Sequence, residues 1–206
     1  MDVGCPYETE SNVTVFDGDW LEAKKLIVRK GAVTEHWEVI SRKKRAANTV
    51  AHGVYIVPLI ISSSCPTKII LEKQYRLAMN GYVLELPGGL LKEAESPEQT
   101  AERELWEETG YSGKAVKVSA GICTEGAPVM FNTCKFVTVH VDGDRPENTN
   151  PRQNLPPAEL EHISVVIVPL EQLDATLQQH ADQGVYIMGE LHTLALGLSL
   201  AGKIGI

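Results

Sequence analysis

Between Glu85 and Tyr111 the chain concentrates carboxylates at regular spacing. Glu104 and Glu108 stand four residues apart, and Arg103 and Glu107 repeat that spacing one position earlier. On a helix such residues are neighbours, with Cβ atoms about 5–6 Å apart. Two like charges so placed slightly destabilise a helix, whereas a hard divalent cation taking carboxylate oxygens turns the pair into a site. A solvated acidic face is the ordinary explanation of a lone E-x-x-x-E. Here Pro87-Gly88-Gly89 precedes the acidic segment, and a separate carboxylate, Glu85, ends an apolar run just before it. A Gly-Gly turn lets the backbone approach a ligand closely. The chain has no G-x-S-x-G elbow, P-loop or paired Cys and His that would suggest a protein nucleophile. Its six histidines show no metal-ligand spacing and read as structural or exposed.

The element that must carry these side chains has explicit ends. Ser96 suits an N-cap, Pro97 the first helical position, and Gln99 completes a capping box with Ser96. Gly110 stands where a left-handed C-terminal residue is wanted. The spacing therefore predicts a helix over 97–109, with Ala101, Leu105 and Thr109 on the face turned to the core. Extended segments are expected at 21–30 and 34–45, paired as a hairpin around Gly31-Ala32-Val33. Others are expected at 54–61, 68–75, 82–86, 115–123, 134–141 and 163–168. Further helix is expected over 170–179 and 189–201. Residues 1–18 read as polar and loose, and 142–157, with four prolines, as a surface loop. A mixed sheet with helices on its faces is the economical arrangement, with the amino-terminal hairpin added to it.

Gly89, Glu95, Arg103-Glu104-Leu105, Glu107-Glu108 and Gly110-Tyr111 match every fixed position of the Nudix box, with the aromatic Tyr111 in the last hydrophobic slot. By this segment the chain resembles the Nudix hydrolases. The resemblance implies an α/β (α+β) fold, an α/β/α sandwich with a mixed sheet. It implies Mg²⁺ as cofactor, with Mn²⁺ as a substitute, held by Glu104, Glu107, Glu108, Glu85 and the Gly88 carbonyl. Arg103 would orient the glutamates through ion pairs, and Glu95 would be structural or a weaker contributor to the metal. Two or three such ions would activate water for in-line attack on a diphosphate.

The flanks are similar to the ADP-ribose and ADP-sugar pyrophosphatase group: Trp37-Glu38-Val39-Ile40-Ser41-Arg42, Lys73-Gln74-Tyr75-Arg76 and Glu85-Leu86-Pro87-Gly88-Gly89, with Trp20 as a second amino-terminal tryptophan. That likeness implies Trp20 and Trp37 against the adenine, and Arg42 and Arg76 at the diphosphate or terminal ribose. It also implies a late acidic residue that orients water, for which Glu161 is better placed than Glu159. The expected division is 1–48 as a dimerising, substrate-gripping β element and 49–206 as the hydrolase domain. A homodimer acting on a small nucleotide sugar is expected. Two departures leave the sugar open. Leu77-Ala78 follow Arg76 where proline is usual, and Thr124 to Met130 lacks the usual Ser-Pro-Gly order. Another nucleoside diphosphate derivative, or a non-catalytic nucleotide sensor, stays as an alternative.

With 43% apolar and 22% charged residues among 206, the composition is that of a globular protein. A net charge of −8 argues against nucleic acid or an anionic membrane as partner, though not against a phosphorylated ligand that arrives with a metal. Four scattered cysteines suggest neither a zinc site nor a disulfide framework. The acidic start Met1 to Pro6 has no apolar run, so no signal peptide is expected, and Asn12-Val13-Thr14 reads as a chance glycosylation match. A soluble cytoplasmic protein, or a nuclear one, is the expectation.

Overall fold

The computed structural model describes residues 4–43, 50–155 and 162–204. Three amino-terminal strands, β1 (Glu8–Asp17), β2 (Leu21–Lys30) and β3 (Val33–Arg42), form an antiparallel sheet with β2 in the middle. The expected hairpin is present, its turn made at Gly31 with φ 61°. The amino-terminal segment is not loose, as the polar residues suggested. Residues 8–17 are a full strand paired along β2, with two register shifts. Its β-branched residues favour extended backbone, and Val13 and Val15 share one face, but the polar residues around them outweigh that short alternation and nearly every residue is exposed.

The rest of the chain supplies β4 (Gly53–Ile61), β5 (Lys68–Arg76), β6 (Gly81–Glu85), β7 (Gly88–Leu90), α1 (Pro97–Thr109), β8 (Lys114–Val118), β9 (Cys123–Glu125) and β10 (Met130–Asp142). It continues with β11 (Ile163–Pro169), α2 (Leu173–Asp182), β12 (Tyr186–Ile187) and α3 (Gly189–Ile204). The predicted strand over 115–123 is two strands, separated by a turn with Gly121 at φ 56°. Along the sheet the order is β1-β2-β3-β10-β4-β5-β6-β12, with β11 on β5, β7 on β4, and β8 and β9 on β10. The long strand β10 joins the two parts. It runs parallel to β3 at Met130–Phe131 and parallel to β4 from Cys134 to Asp142. The expected boundary at residues 48 and 49 lies outside the described residues.

Two cores lie on opposite faces of this sheet. One packs Val54, Ile56, Ile70, Val137, Val139 and Val141 against Ala101 and Leu105 of α1. The other packs Ile69, Leu71, Leu84 and Leu86 against Leu173 and Leu177 of α2 and Leu191 and Ala195 of α3. Consecutive Ile69, Ile70 and Leu71 are all fully buried, because a strand covered on both faces needs apolar residues on each. The layers are thus helix, mixed sheet, helices. No helix among the described residues is long and apolar enough to cross a membrane.

Candidate active site

The helix that carries the glutamates starts and stops where its sequence requires. Ser96 is extended, its hydroxyl accepts from the Gln99 amide, and the Gln99 side chain accepts from the Ser96 amide. At the other end Gly110 takes φ 77° and closes on the Trp106 carbonyl. Residues 151–155 then finish the helix. The Asn154 amide donates to the Glu107 carbonyl at 2.8 Å, and the Gln153 side chain donates to that of Glu108 at 2.7 Å. Those last carbonyls would otherwise lack partners.

Arg103 is the hub of the acidic face. It donates to Glu95 at 2.8 and 2.9 Å and to Glu107 at 2.9 Å, and lies 2.8 Å from Glu104. Its hydrogen bonds, with those from Thr100 and the Lys92 amide, hold the Glu95 carboxyl down at about 2. Glu104 differs. Burial raises its pKa, and the adjacent guanidinium only partly offsets that. Burial also works against the Arg103 charge, but its carboxylate partners outweigh it and raise its pKa. Glu108 is buried and accepts from the Gly88 amide at 3.1 Å.

The Pro-Gly-Gly turn explains itself sterically. A side chain at Gly89 would overlap the Glu104 carboxylate, and one at Gly88 would overlap the Val54 carbonyl. Glu85, the last residue of β6, is buried and accepts from Arg76 Nε at 2.9 Å. Directly opposite it on β5 is Glu72, with 2% of its surface exposed. The sequence reading passed over this carboxylate, although a lone charge after Ile69-Ile70-Leu71 was the available signal.

These oxygen donors fit a hard divalent cation such as Mg²⁺. The space that a Cβ would fill at Gly89 lies against Glu104. Among the described residues no three acidic, His or Cys side chains already converge as a finished cage. Arg103 holds one carboxylate oxygen of each of Glu104 and Glu107, which leaves the other oxygen of each for a cation.

Beside this cluster is a cleft of about 110 Å³, lined by Arg42, Arg76, Tyr55, Gly88, Glu125 and Cys134 among others. The structure thus brings Arg42, Arg76 and Gly88 to one cleft. Arg42 Nε is buried and has no hydrogen-bond partner among the described residues. Tyr55 is held as a phenol well above its ordinary pKa by burial and by a hydrogen bond to Glu125. Trp20 is more than half exposed, and its carbonyl accepts from the Lys43 amide, next to Arg42. Trp37 is not at the cleft. It stands five residues from Arg42 along β3, about 17 Å, and on the opposite face. Glu161 lies outside the described residues. A larger cavity of about 710 Å³ lies elsewhere, against Glu102, Lys114, Asp142 and Asp144. It touches none of Glu104, Glu107 or Glu108, so size alone does not locate the chemistry. His52 is buried, with Nδ1 2.7 Å from the Thr133 hydroxyl.

Comparison with known proteins agrees with this geometry. A model of the NUDIX domain matches residues 58–188. The chain is 33% identical over 188 residues to the ADP-sugar pyrophosphatase of Mus musculus, covering 87% of this chain and 84% of that one. It is 30% identical over 192 residues to the ADP-ribose pyrophosphatase of Saccharomyces cerevisiae, covering 92% and 81%. The fold matches a crystal structure of an ADP compounds hydrolase with a TM-score of 0.62 over 84% of each chain, at 21% identity. A box carried on a capped helix, a glycine turn shaped around Glu104 and a family match across most of the chain agree: this protein belongs to the Nudix hydrolase family.

Proposed function

We propose that the protein hydrolyses the diphosphate of ADP-ribose or a related ADP-sugar, giving AMP and a sugar phosphate with Mg²⁺ as cofactor. The observation that carries this reading is the pair Arg42 and Arg76 in one cleft beside Gly88, with a buried Arg42 N–H that has no partner among the described residues. A phosphoryl oxygen is the acceptor that suits a guanidinium. Glu104, Glu107 and Glu108, with Glu85 and the Gly88 carbonyl, are the proposed ligands. When bound, Mg²⁺ supplies a water acidic enough to attack near neutral pH and neutralises the diphosphate. Arg103 keeps the glutamates aligned, Arg76 positions Glu85, and Arg42 fixes the diphosphate. Glu161 remains the proposed water-orienting base.

A cleft of about 110 Å³ is smaller than the roughly 300–1,000 Å³ of ordinary ligand pockets. A homodimer, in which a second copy would complete the cleft, accounts for that small size. Trp37 would then reach the base from the partner, and Trp20 from the same chain, with 1–48 as the gripping element and 49–206 as the hydrolase domain.

The test is product analysis with ADP-ribose, ADP-glucose and ADP-mannose in ¹⁸O-labelled water with Mg²⁺. AMP formed from at least one of them, with label on one of the two phosphate products, is expected. Leaving all three intact would overturn the substrate assignment.

A further inference from the structure

We propose that Cys123 and Cys134 are a cross-strand dithiol that a low-molecular-weight disulfide oxidises reversibly to a disulfide, altering the shape of the substrate cleft. The two residues are direct partners in the antiparallel pairing of β9 with β10. Opposed residues of such a pair have Cα atoms about 4.5 or 5.5 Å apart and point to the same face. A disulfide needs Cα atoms about 4.4–6.8 Å apart, so either kind of pair satisfies it. Both cysteines are reduced here.

The pair is asymmetric in a way that orders the chemistry. Cys123 is partly exposed, and its thiol donates to the Ser119 hydroxyl at 3.7 Å. Cys134 is 3% exposed, and burial, aided by Glu125, pushes its thiol up to about 12. Cys123 therefore reacts first. Its thiolate attacks one sulfur of the small disulfide RSSR, and the other sulfur leaves as a thiol. Cys134 then attacks the Cys123 sulfur and passes its proton to the second departing thiolate. Two protein thiols are oxidised by two electrons, and one RSSR becomes two RSH.

The consequence follows from position. Cys134 lines the cleft with Arg42, Arg76 and Gly88. Two rungs along the same ladder, on the same face of the pair, the Asn132 side chain donates to Glu125, and Glu125 also bonds Tyr55. Strand β9 is only three residues long, and beyond it lie Gly121 and Gly126, both at positive φ. Only three rungs tie it to β10. Drawing Cys123 in to an S–S bond of about 2.05 Å shifts Glu125 and Tyr55 with it. The metal cluster, on β6, β7 and α1, keeps its place. The consequence for turnover rests on the nucleotide-sugar reading above, whereas the bond itself does not.

The experiment equilibrates full-length Cys5→Ser/Cys65→Ser protein in mixtures of reduced and oxidised glutathione, removing the two exposed thiols that would confuse the count. Alkylation and mass spectrometry count free thiols, and kinetics with ADP-ribose and Mg²⁺ are read on the same samples. The expected result is joint loss of both thiols, a linked 123–134 peptide, a severalfold rise in KM with less change in kcat, and reversal by dithiothreitol. Adding Cys123→Ser keeps the reduced activity and abolishes the redox response. Glutathione adducts without a protein–protein bond, or a bond with unchanged KM, would overturn the proposal. Reduced protein that leaves ADP-ribose intact removes the substrate reading alone, because the mass shift is read without turnover. In that case the link decides this proposal, present or absent.

Discussion

At the scale of single residues, the acidic face separates into side chains that hold structure and side chains held ready. Glu95 is of the first kind. Its folded pKa of about 2 is below the ordinary carboxylate value, chiefly through Arg103, so its charge stabilises the fold at neutral pH. That contribution is lost as pH falls from about 4.5 towards 2. Glu95→Gln should cost about 2 kcal/mol at pH 7, and the gap to wild type should close by pH 2–3 in denaturant titrations. A gap independent of pH would show that the charge is not what matters. Glu104 is of the second kind, since burial raises its pKa and its charged form is penalised until a cation arrives. Mg²⁺ should therefore raise Tm more at pH 7.5 than at pH 5, because ligation needs the carboxylate deprotonated. Chelation should abolish turnover. Glu108→Gln should lose at least about 100-fold in kcat, the scale of damaged metal sites, while staying folded. Gly89→Ala tests the same point from the backbone, since the new methyl would displace the Glu104 carboxylate. It should cut activity far more than stability.

Elements explain how those side chains come to be placed. Helix α1 was legible to the residue because its signals are local: Ser96 and Gln99 cap one end, Gly110 the other, and Ala101 and Leu105 mark the buried face. What the sequence hid is non-local. Gln153 and Asn154 cap the helix end from a segment over forty residues away, and β7 exists only because Gly88 to Leu90 meet β4. Neither carries a pattern of its own. Strand β1 was missed because its short alternation, Val13-Thr14-Val15, sits in an otherwise polar segment and its place is set by pairing with β2 rather than by burial. Trp37 shows the same limit at the site: its type suggested base stacking, but only the strand register reveals that it points away from its own cleft. One local feature is suboptimal. Ala94 adopts φ 63° in the turn that leads into Glu95, where a Cβ costs about 1–2 kcal/mol. Ala94→Gly should relieve that strain, and after the entropy that glycine adds to the unfolded chain the gain should be about 0.5–1 kcal/mol. Unchanged or reduced stability would mean that the turn does not need a left-handed residue.

For the whole molecule, the amino-terminal sheet poses the question the hydrolase core leaves open. Three strands and the turn between the first two present Val13, Val15, Phe16, Trp20, Val33 and Trp37 to solvent, each more than 40% exposed. Its tie to the rest through β3 and β10 spans two residue pairs. So much apolar surface on a small sheet is the mark of an interface, and a sheet of this size gains independent stability mainly by covering a face. The cleft it borders is too small for a whole nucleotide sugar. Both deficits are met if two copies pair through these sheets. Sedimentation should then show a dimer at micromolar concentration. Val13→Glu/Val15→Glu should shift it to monomer while leaving the metal cluster, which lies on other elements, able to bind Mg²⁺. If pairing completes the cleft, that monomer should bind ADP-ribose much more weakly, and Trp37→Ala should weaken binding without dissociating the dimer. A monomeric wild type with full activity would instead require the single-chain cleft to open around its ligand, and Trp37 would then have no part in gripping the base.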